Sequence, residues 1–174
     1  TADRIANTGS DRFPSWLYPA NDWYNIIFKD VAVNHHGGLS VRGGSKIMQY
    51  YASLGFNYDT GMLKTDKLNS FDVNIRNNTT TLRMNLNIDM TPSAKLILNT
   101  TSALDSYHGP RADVTEAYYL AFNAHPVDYA AVYPADDTYT FPHMRFGYAT
   151  KTSENPYATI QSGYMERSRF STVN

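Results

Sequence analysis

Hydrophobic and polar residues alternate with a period of two through the middle of the chain. Across 46–58, Met48, Tyr50, Ala52, Leu54, Phe56 and Tyr58 share one parity, and Ile47, Gln49, Tyr51, Ser53, Gly55 and Asn57 share the other. The first set is apolar or aromatic; the second is mostly small or polar. Across 81–91 the separation has no exception. Leu82, Met84, Leu86, Ile88 and Met90 fall on one side, and Thr81, Arg83, Asn85, Asn87, Asp89 and Thr91 on the other. A helix would scatter these positions around its circumference, so the pattern predicts strands. A third strand is predicted over 95–104, where Leu96, Leu98 and Leu104 share a parity. Weaker strand patterns lie at 39–42 and 164–173. Phe71, Val73 and Ile75 alternate with Asp72, Asn74 and Arg76, which predicts a strand extension towards Asn77-Asn78.

The connections alternate as well. Gly43-Gly44-Ser45 is expected to form a tight turn, with glycine supplying positive φ. Thr91-Pro92-Ser93-Ala94 is another short turn. Residues 59–70 make a longer link, and roughly sixty residues after Leu104 make a very long one, which is unusual in a compact domain. Within it, Asp113 and Glu116 form a capping box before Ala117, Tyr118, Leu120 and Ala121. The helix they predict ends near His125, because Pro126 follows. Short turns alternating with long loops are the habit of an outer-membrane barrel, and thirteen residues at ~3.3 Å rise tilted by ~45° span ~30 Å. A soluble antiparallel sandwich has the same alternation.

Composition narrows the function classes. Fifteen Lys and Arg against sixteen Asp and Glu give a net charge of −1, which argues against a nucleic-acid-binding field. There is no cysteine, hence no disulfide, thiolate metal site or cysteine nucleophile. No apolar run reaches the ~18 residues of a transmembrane helix, which leaves a transmembrane barrel open.

Candidate chemistry is sparse. His35 and His36 are adjacent, so on a strand they point to opposite faces. His108, His125 and His143 are expected in the long loop without metal-ligand neighbours. No zinc-protease, nucleophile-elbow or phosphate-loop motif occurs. Asp59, Asp136 and Asp137 are the carboxylates available to a glycoside hydrolase, but Asp136-Asp137 between prolines reads first as a turn. Aromatic residues are the stronger signal. Trp16, Tyr18, Trp23 and Tyr24 precede the first strand, and Tyr118, Tyr119, Tyr129, Tyr133, Tyr139 and Tyr148 dot the long loop. Such rings suit sugar stacking or a protein interface, and equally the packing of loops on one another. Tyr50 and Tyr58 on the strands suit an interfacial girdle.

Five stretches, taken in order, resemble one family. They are Tyr18-Pro19-Ala20-Asn21-Asp22-Trp23-Tyr24; Leu39-Ser40-Val41-Arg42-Gly43-Gly44-Ser45-Lys46 with Tyr50-Tyr51-Ala52-Ser53-Leu54-Gly55-Phe56; Gly61-Met62-Leu63-Lys64; Leu82-Arg83-Met84-Asn85-Leu86-Asn87-Ile88 with Thr91-Pro92; and Asn155-Pro156-Tyr157-Ala158 with Gly163-Tyr164. They are similar to segments of the SusC/RagA family of TonB-dependent outer-membrane importers. His35-His36-Gly37-Gly38 departs from that family's usual lead into the strand, and 69–80 is longer than in many members.

The resemblance implies an all-β fold: antiparallel up-and-down strands forming part of a transmembrane β-barrel, with long extracellular loops and a short loop helix. Residues 1–38 would be a loop region and strand lead-in, 39–104 barrel strands, 105–163 a long extracellular loop, and 164–174 the start of the next strand. The family's plug and C-terminal strand are not among these residues. Leu82, Met84, Leu86, Ile88 and Met90 would face lipid, and Arg83, Asn85, Asn87 and Asp89 the lumen or plug. Trp16, Tyr18, Trp23, Tyr24, Tyr118, Tyr119, Tyr129, Tyr133 and Tyr139 would face a substrate or partner. The implied activity is nutrient import across the bacterial outer membrane, of oligosaccharides first and peptides second. The implied partners are a SusD-like surface lipoprotein and the TonB machinery. No cofactor, metal, catalytic residue or nucleic acid is expected. The alternatives are a soluble carbohydrate-binding β-sandwich and, third, a glycoside hydrolase.

Overall fold

The computed structural model describes residues 2–148 and 154–174. Its elements, in chain order, are α1 (Ala2–Ala6), α2 (Trp23–Ile27), β1 (Asn34–Gly44), β2 (Met48–Thr60), β3 (Arg76–Thr91), β4 (Ala94–Pro110), α3 (Val114–Asn123), β5 (Val132–Tyr133), β6 (Arg145–Phe146), α4 (Pro156–Gln161) and β7 (Tyr164–Val173). The chain divides into two units. One comprises Thr1–Val31, Met62–Asn74 and Gly109–Met165; the other comprises Ala32–Gly61, Ile75–His108 and Glu166–Asn174.

The second unit is a single sheet in the order β1-β2-β3-β4-β7. The β1–β2, β2–β3 and β3–β4 pairs are antiparallel. Ser102 meets Thr172 at 3.1 Å and His108 meets Glu166 at 3.0 Å. Advancing along β4 therefore moves backwards along β7, so this pair is antiparallel too. The three strands predicted most clearly are all present. Two ends differ from expectation. The alternation at Phe71–Ile75 does not extend β3, which starts at Arg76; Val73 and Asn74 are buried in the other unit. β4 runs on to Pro110, because Arg76–Thr80 offers it partners from Leu104 to His108. His108 is therefore a strand residue.

The first hairpin corrects the glycine expectation. Gly43 and Gly44 stay within β1, and among the described residues positive φ occurs only at Gly9. The turn is built by Ser45 instead: its N–H donates to the Met48 carbonyl at 2.6 Å, and its hydroxyl accepts from the Ile47 and Met48 amides. The β1 glycines make room. Gly37 and Gly43 lie directly opposite Phe56 and Tyr50. A Cβ on Gly37 would stand 2.2 Å from the Phe56 ring, and one on Gly43 2.5 Å from the Tyr50 hydroxyl. Aromatic rings lying over cross-strand glycines pin a register. Gly37→Ala should therefore lower the stability of the intact protein by about 1 kcal/mol, the low end of overpacking costs, since the ring can swing aside. Gly55→Ala, where a Cβ meets nothing within 4 Å, should be neutral. Thermal unfolding of the two variants side by side checks this.

All of the buried residues described lie in the first unit. Its core is Trp23, Ile27, Phe28, Leu63, Val73, Ala117, Tyr129, Tyr157 and Ile160. Leu63 bridges Phe28 in a short antiparallel contact, with Lys29 donating to Met62 and Lys64 to Ile27. The predicted loop helix is α3. Asp113 caps it by accepting from the Thr115 amide at 2.7 Å, and it ends at Ala124. Those hydrogen bonds from Thr115 hold the Asp113 carboxyl below its ordinary range. The cap is therefore in place above the ordinary carboxylate pKa and weakens as pH falls through the lowered one.

Candidate functional site

The sheet has two chemically opposite faces. Residues paired across antiparallel strands share a face, so the register assigns every position. One face carries Leu39 and Val41; Met48, Tyr50, Ala52, Leu54 and Phe56; Leu82, Met84, Leu86, Ile88 and Met90; Leu96, Leu98 and Leu104; and, on β7, Phe170. Leu39, Leu54 and Leu82 form one direct row, and Tyr50, Leu86 and Leu98 another. Thr100 and Ser102 interrupt the apolar surface on β4. Its middle is exposed among the described residues: Leu39 is 76% exposed, Met84 52% and Phe170 70%. Tyr50 sits on this face over Gly43, and Tyr58 stacks against His35 at 6.1 Å.

The other face is mostly polar: it carries Arg42, Gln49, Tyr51, Ser53, Asn57, Arg83, Asn85, Asn87, Asp89, Asn99, Thr101, Asp105, Arg167 and Arg169, with Ile97, Met165 and Val173 as its apolar exceptions. Asp89 pairs with Lys95 at 3.3 Å, and Thr79 donates to Asp105 at 2.8 Å. His36 lies on this face, 3.1 Å from Asn57, so the two adjacent histidines do point to opposite sides. The lipid-side and lumen-side sets expected on β3 thus occupy separate faces.

The aromatic residues expected to meet a ligand divide by burial. Trp23 and Tyr129 are 4% and 2% exposed and pack together at 5.5 Å. The Trp23 indole N–H donates to the His125 carbonyl at 3.3 Å, and the Tyr129 hydroxyl to the Glu154 carbonyl at 3.0 Å. Both are core, because the loop unit closes on them. Trp16, Tyr24, Tyr118, Tyr119 and Tyr139 are exposed, as is Tyr148, while Tyr18 and Tyr133 are half-buried. Tyr24, Tyr118 and the very exposed Phe122 border an open recess of about 440 Å³ between α2 and α3.

The loop motifs turn out to be structural pins. Asn21 donates to the Tyr129 carbonyl at 2.6 Å, and Asp22 caps α2. Asn155, 4% exposed, uses its whole amide: its oxygen accepts from the Tyr157 and Ala158 amides, and its nitrogen donates to the carbonyls of Ala131 and Gly147. Gln161 donates to the Lys64 carbonyl and accepts from Asp66 and Asn69. Tyr157 donates to Asp66 at 2.5 Å, and burial with the neighbouring carboxylate pushes its phenol far up, so it stays a neutral donor. In the sequence Asn155 stood out only as part of the Asn155-Pro156-Tyr157-Ala158 stretch, with no role attached, and Gln161 did not stand out. The Asn-Pro start to a helix was the available signal for Asn155; nothing local marked Gln161.

The expectation for all three of the later histidines is corrected. His108 lies 3.0 Å from Glu166, His125 3.8 Å from Asp128, and His143 3.2 Å from Asp136, so each has an acidic neighbour. Still, no cluster of three metal-ligating side chains forms among the described residues. Asp136 is a turn residue that accepts from the Thr138 amide and pairs with Arg145 at 2.8 Å. Those contacts, Thr138 foremost, hold its carboxyl below the ordinary range, which is the wrong direction for a general acid. No helix among the described residues is long and apolar enough to cross a membrane, which says nothing about strands.

Comparison with known proteins adds one similarity. No family model matches the chain, and no solved structure matches it. The chain is 37% identical over 67 residues to the TonB-dependent receptor SusC of Bacteroides thetaiotaomicron, a stretch covering 37% of this chain and 6% of the length of that receptor.

Proposed function

We propose that the sheet is a section of the wall of a transmembrane β-barrel, in a TonB-dependent importer of the bacterial outer membrane. One observation carries this reading: strands of 10 to 17 residues form a sheet whose buried residues, among those described, are confined to Gly109 and Pro110 at the far end of β4, and the middle of one face is apolar and exposed, as at Leu39, Leu54, Leu82 and Met84. Soluble proteins rarely expose so large an apolar patch. In a bilayer the same face is solvated. From Leu82 to Met90 the apolar row runs about 27 Å along the strand, and a ~40° tilt reduces its height to ~21 Å, near the ~25 Å band of such barrels. Leu82, Met84, Leu86, Ile88 and Met90 then meet lipid. Arg83, Asn85, Asn87 and Asp89 face the lumen. The two short turns, at 45–47 and 92–93, leave the sheet at one end, as periplasmic turns do.

The similarity to a TonB-dependent receptor supports the same reading. Transport is then driven through TonB, with a SusD-like lipoprotein as partner and an oligosaccharide as cargo. The exposed rings of Trp16, Tyr24, Tyr118, Tyr119 and Tyr139 are the surface offered to them. The soluble sandwich lacks support from this sheet: among the described residues neither of its faces is buried.

Fractionation of the source cells, probed with an antibody to this sequence, tests the proposal. The expected signal is confined to the outer membrane and released only by detergent. Recovery in a soluble fraction without detergent would overturn it.

A further inference from the structure

We propose that one row of side chains, His35, Tyr58, Asn78, Ser106 and Ser168, is a lipid-headgroup contact band on the sheet; the proposal rests on the importer reading above, which turns this face to the membrane. The register sets the five side by side. His35 pairs with Tyr58, Tyr58 with Asn78, and Asn78 with Ser106. The Ser102–Thr172 and His108–Glu166 contacts place Ser168 opposite Ser106. The row shares its face with Leu54, Leu82 and Met84, yet none of its members is aliphatic. The neighbouring row, Gly37, Phe56, Thr80, Leu104 and Phe170, still offers apolar surface: Phe56, Leu104 and Phe170 are all exposed. The face therefore changes character at one level across all five strands.

Depth decides what meets the row. From Thr80 to Met90 the face runs ~33 Å along β3, and a ~40° tilt makes that ~25 Å, the full height of a barrel's apolar band. The polar row lies two residues beyond Thr80, ~5 Å higher at the same tilt. The polar layer on each side of a bilayer is about 5–8 Å thick, since a ~30 Å core becomes ~40–45 Å in all. The five side chains thus stand inside that layer, neither in hydrocarbon nor in bulk water. They lie away from the end with the two short turns, so the layer is that of the outward leaflet. Their hydrogen-bonding capacity is unspent. Among the described residues, His35 stacks on Tyr58 at 6.1 Å, and none of the five side chains is in a hydrogen bond or ion pair. By contrast Ser102 and Thr172, two residues past Leu104 and Phe170 towards the turns, spend their hydroxyls on each other at 3.1 Å. The chemistry fits headgroups. Hydroxyls, an amide and an imidazole supply donors for phosphate and ester oxygens, and the row holds no carboxylate to repel them. Glu166, one row further on, is held by His108 at 3.0 Å. The Tyr58 ring has the apolar body and polar tip that settle at a membrane surface.

The test uses the full-length protein, with any cysteine elsewhere in it replaced by serine, in vesicles of phosphatidylcholine and phosphatidylglycerol. One cysteine at a time carries a small fluorophore: Met84→Cys, Leu104→Cys, Ser106→Cys, Asn78→Cys, and Tyr119→Cys as an exposed loop control. Nitroxides fixed at the lipid headgroup or midway down the acyl chain, and iodide in the water, report where each label sits. Met84→Cys should lose most fluorescence to the mid-chain nitroxide. Leu104→Cys should lose more to the headgroup nitroxide than Met84→Cys does. Ser106→Cys and Asn78→Cys should be quenched chiefly by the headgroup nitroxide, and less by iodide than Tyr119→Cys. A variant that does not insert is replaced by its partner in the row, Ser168→Cys for Ser106→Cys and Phe56→Cys for Leu104→Cys. Iodide quenching at Ser106 and Asn78 as strong as at Tyr119, with none from the headgroup nitroxide, would put the row in water and overturn the band. Mid-chain quenching there as strong as at Met84 would put it in hydrocarbon and overturn it equally. Both of those outcomes leave Met84 in lipid and the importer reading intact. If no lipid nitroxide reaches Met84, the face does not meet the membrane and that reading itself falls.

Discussion

An arginine at Leu86 should keep the protein out of the membrane, whereas an arginine at Asn99 should leave it inserted. Leu86 is the middle of the five apolar positions on β3, flanked in its row by Tyr50 and Leu98. If that face meets lipid, Leu86 is near the bilayer midplane. A lipid-facing arginine there costs ~2–4 kcal/mol, a large share of the 5–15 kcal/mol by which proteins are usually stable. Asn99 pairs with Asn85 one step away, on the opposite face. An arginine there joins the polar surface of a lumen and should change stability by no more than about 0.5 kcal/mol. Folded, membrane-integrated protein in the two variants is the quantity to compare. The lipid assignment fails if Leu86→Arg inserts as well as the parent, and the face assignment fails if Asn99→Arg does not.

Asn155→Ala should unfold the loop unit while sparing the sheet. The amide is buried and makes four hydrogen bonds, joining the start of α4 to the Ala131 and Gly147 carbonyls. Alanine removes all four and strands two carbonyls in a site with little water. At ~1–3 kcal/mol for each group left unsatisfied, the loss is about 3 kcal/mol or more. Asn155→Asp should be no better, because it keeps the acceptor for the α4 amides but turns a negative charge towards two carbonyl oxygens. Hydrogen exchange should accelerate across the segments packed around α4, including the region of Leu63, Tyr129 and Tyr157, with little change at β2 and β3. Unchanged exchange in the loop segments would show that Asn155 is not the pin the geometry makes it.

The strands were legible because alternation is local. The two faces of β3 can be read from eleven consecutive residues without knowing what lies beside them. Strand ends were not legible in the same way. Phe71, Val73 and Ile75 alternate as well as any strand, yet Val73 is fully buried in the loop unit and the Asn74 side chain accepts from the Leu63 amide. Periodicity records which residues avoid water, not whether a sheet or a loop core shelters them. The extension of β4 to Pro110 is dictated by the strand beside it. The α3 helix was readable from its cap and from Pro126, both local signals. Among the aromatic residues, Tyr118 and Tyr119 stayed at the surface while Trp23 and Tyr129 became core; composition could not separate them, since burial is decided by partners distant in sequence. Tyr51 and Asn85 were visible only as members of two separate polar parities until the register set them side by side.

The placement of every buried residue described in one unit also orders events in folding. In water the loop unit has an interior to gain and hydrogen-bond hubs to lock it. The sheet has neither, and among the described residues its outer strands β1 and β7 pair on one side only, the arrangement that invites aggregation until neighbours pair with them. If the apolar face meets lipid, its strands can be held open without forfeiting any core, because their core is then the bilayer. A chaperone of the aqueous compartment crossed on the way would therefore be needed for these strands rather than for the loops. The membrane would act on the sheet as a late-arriving half of its own structure.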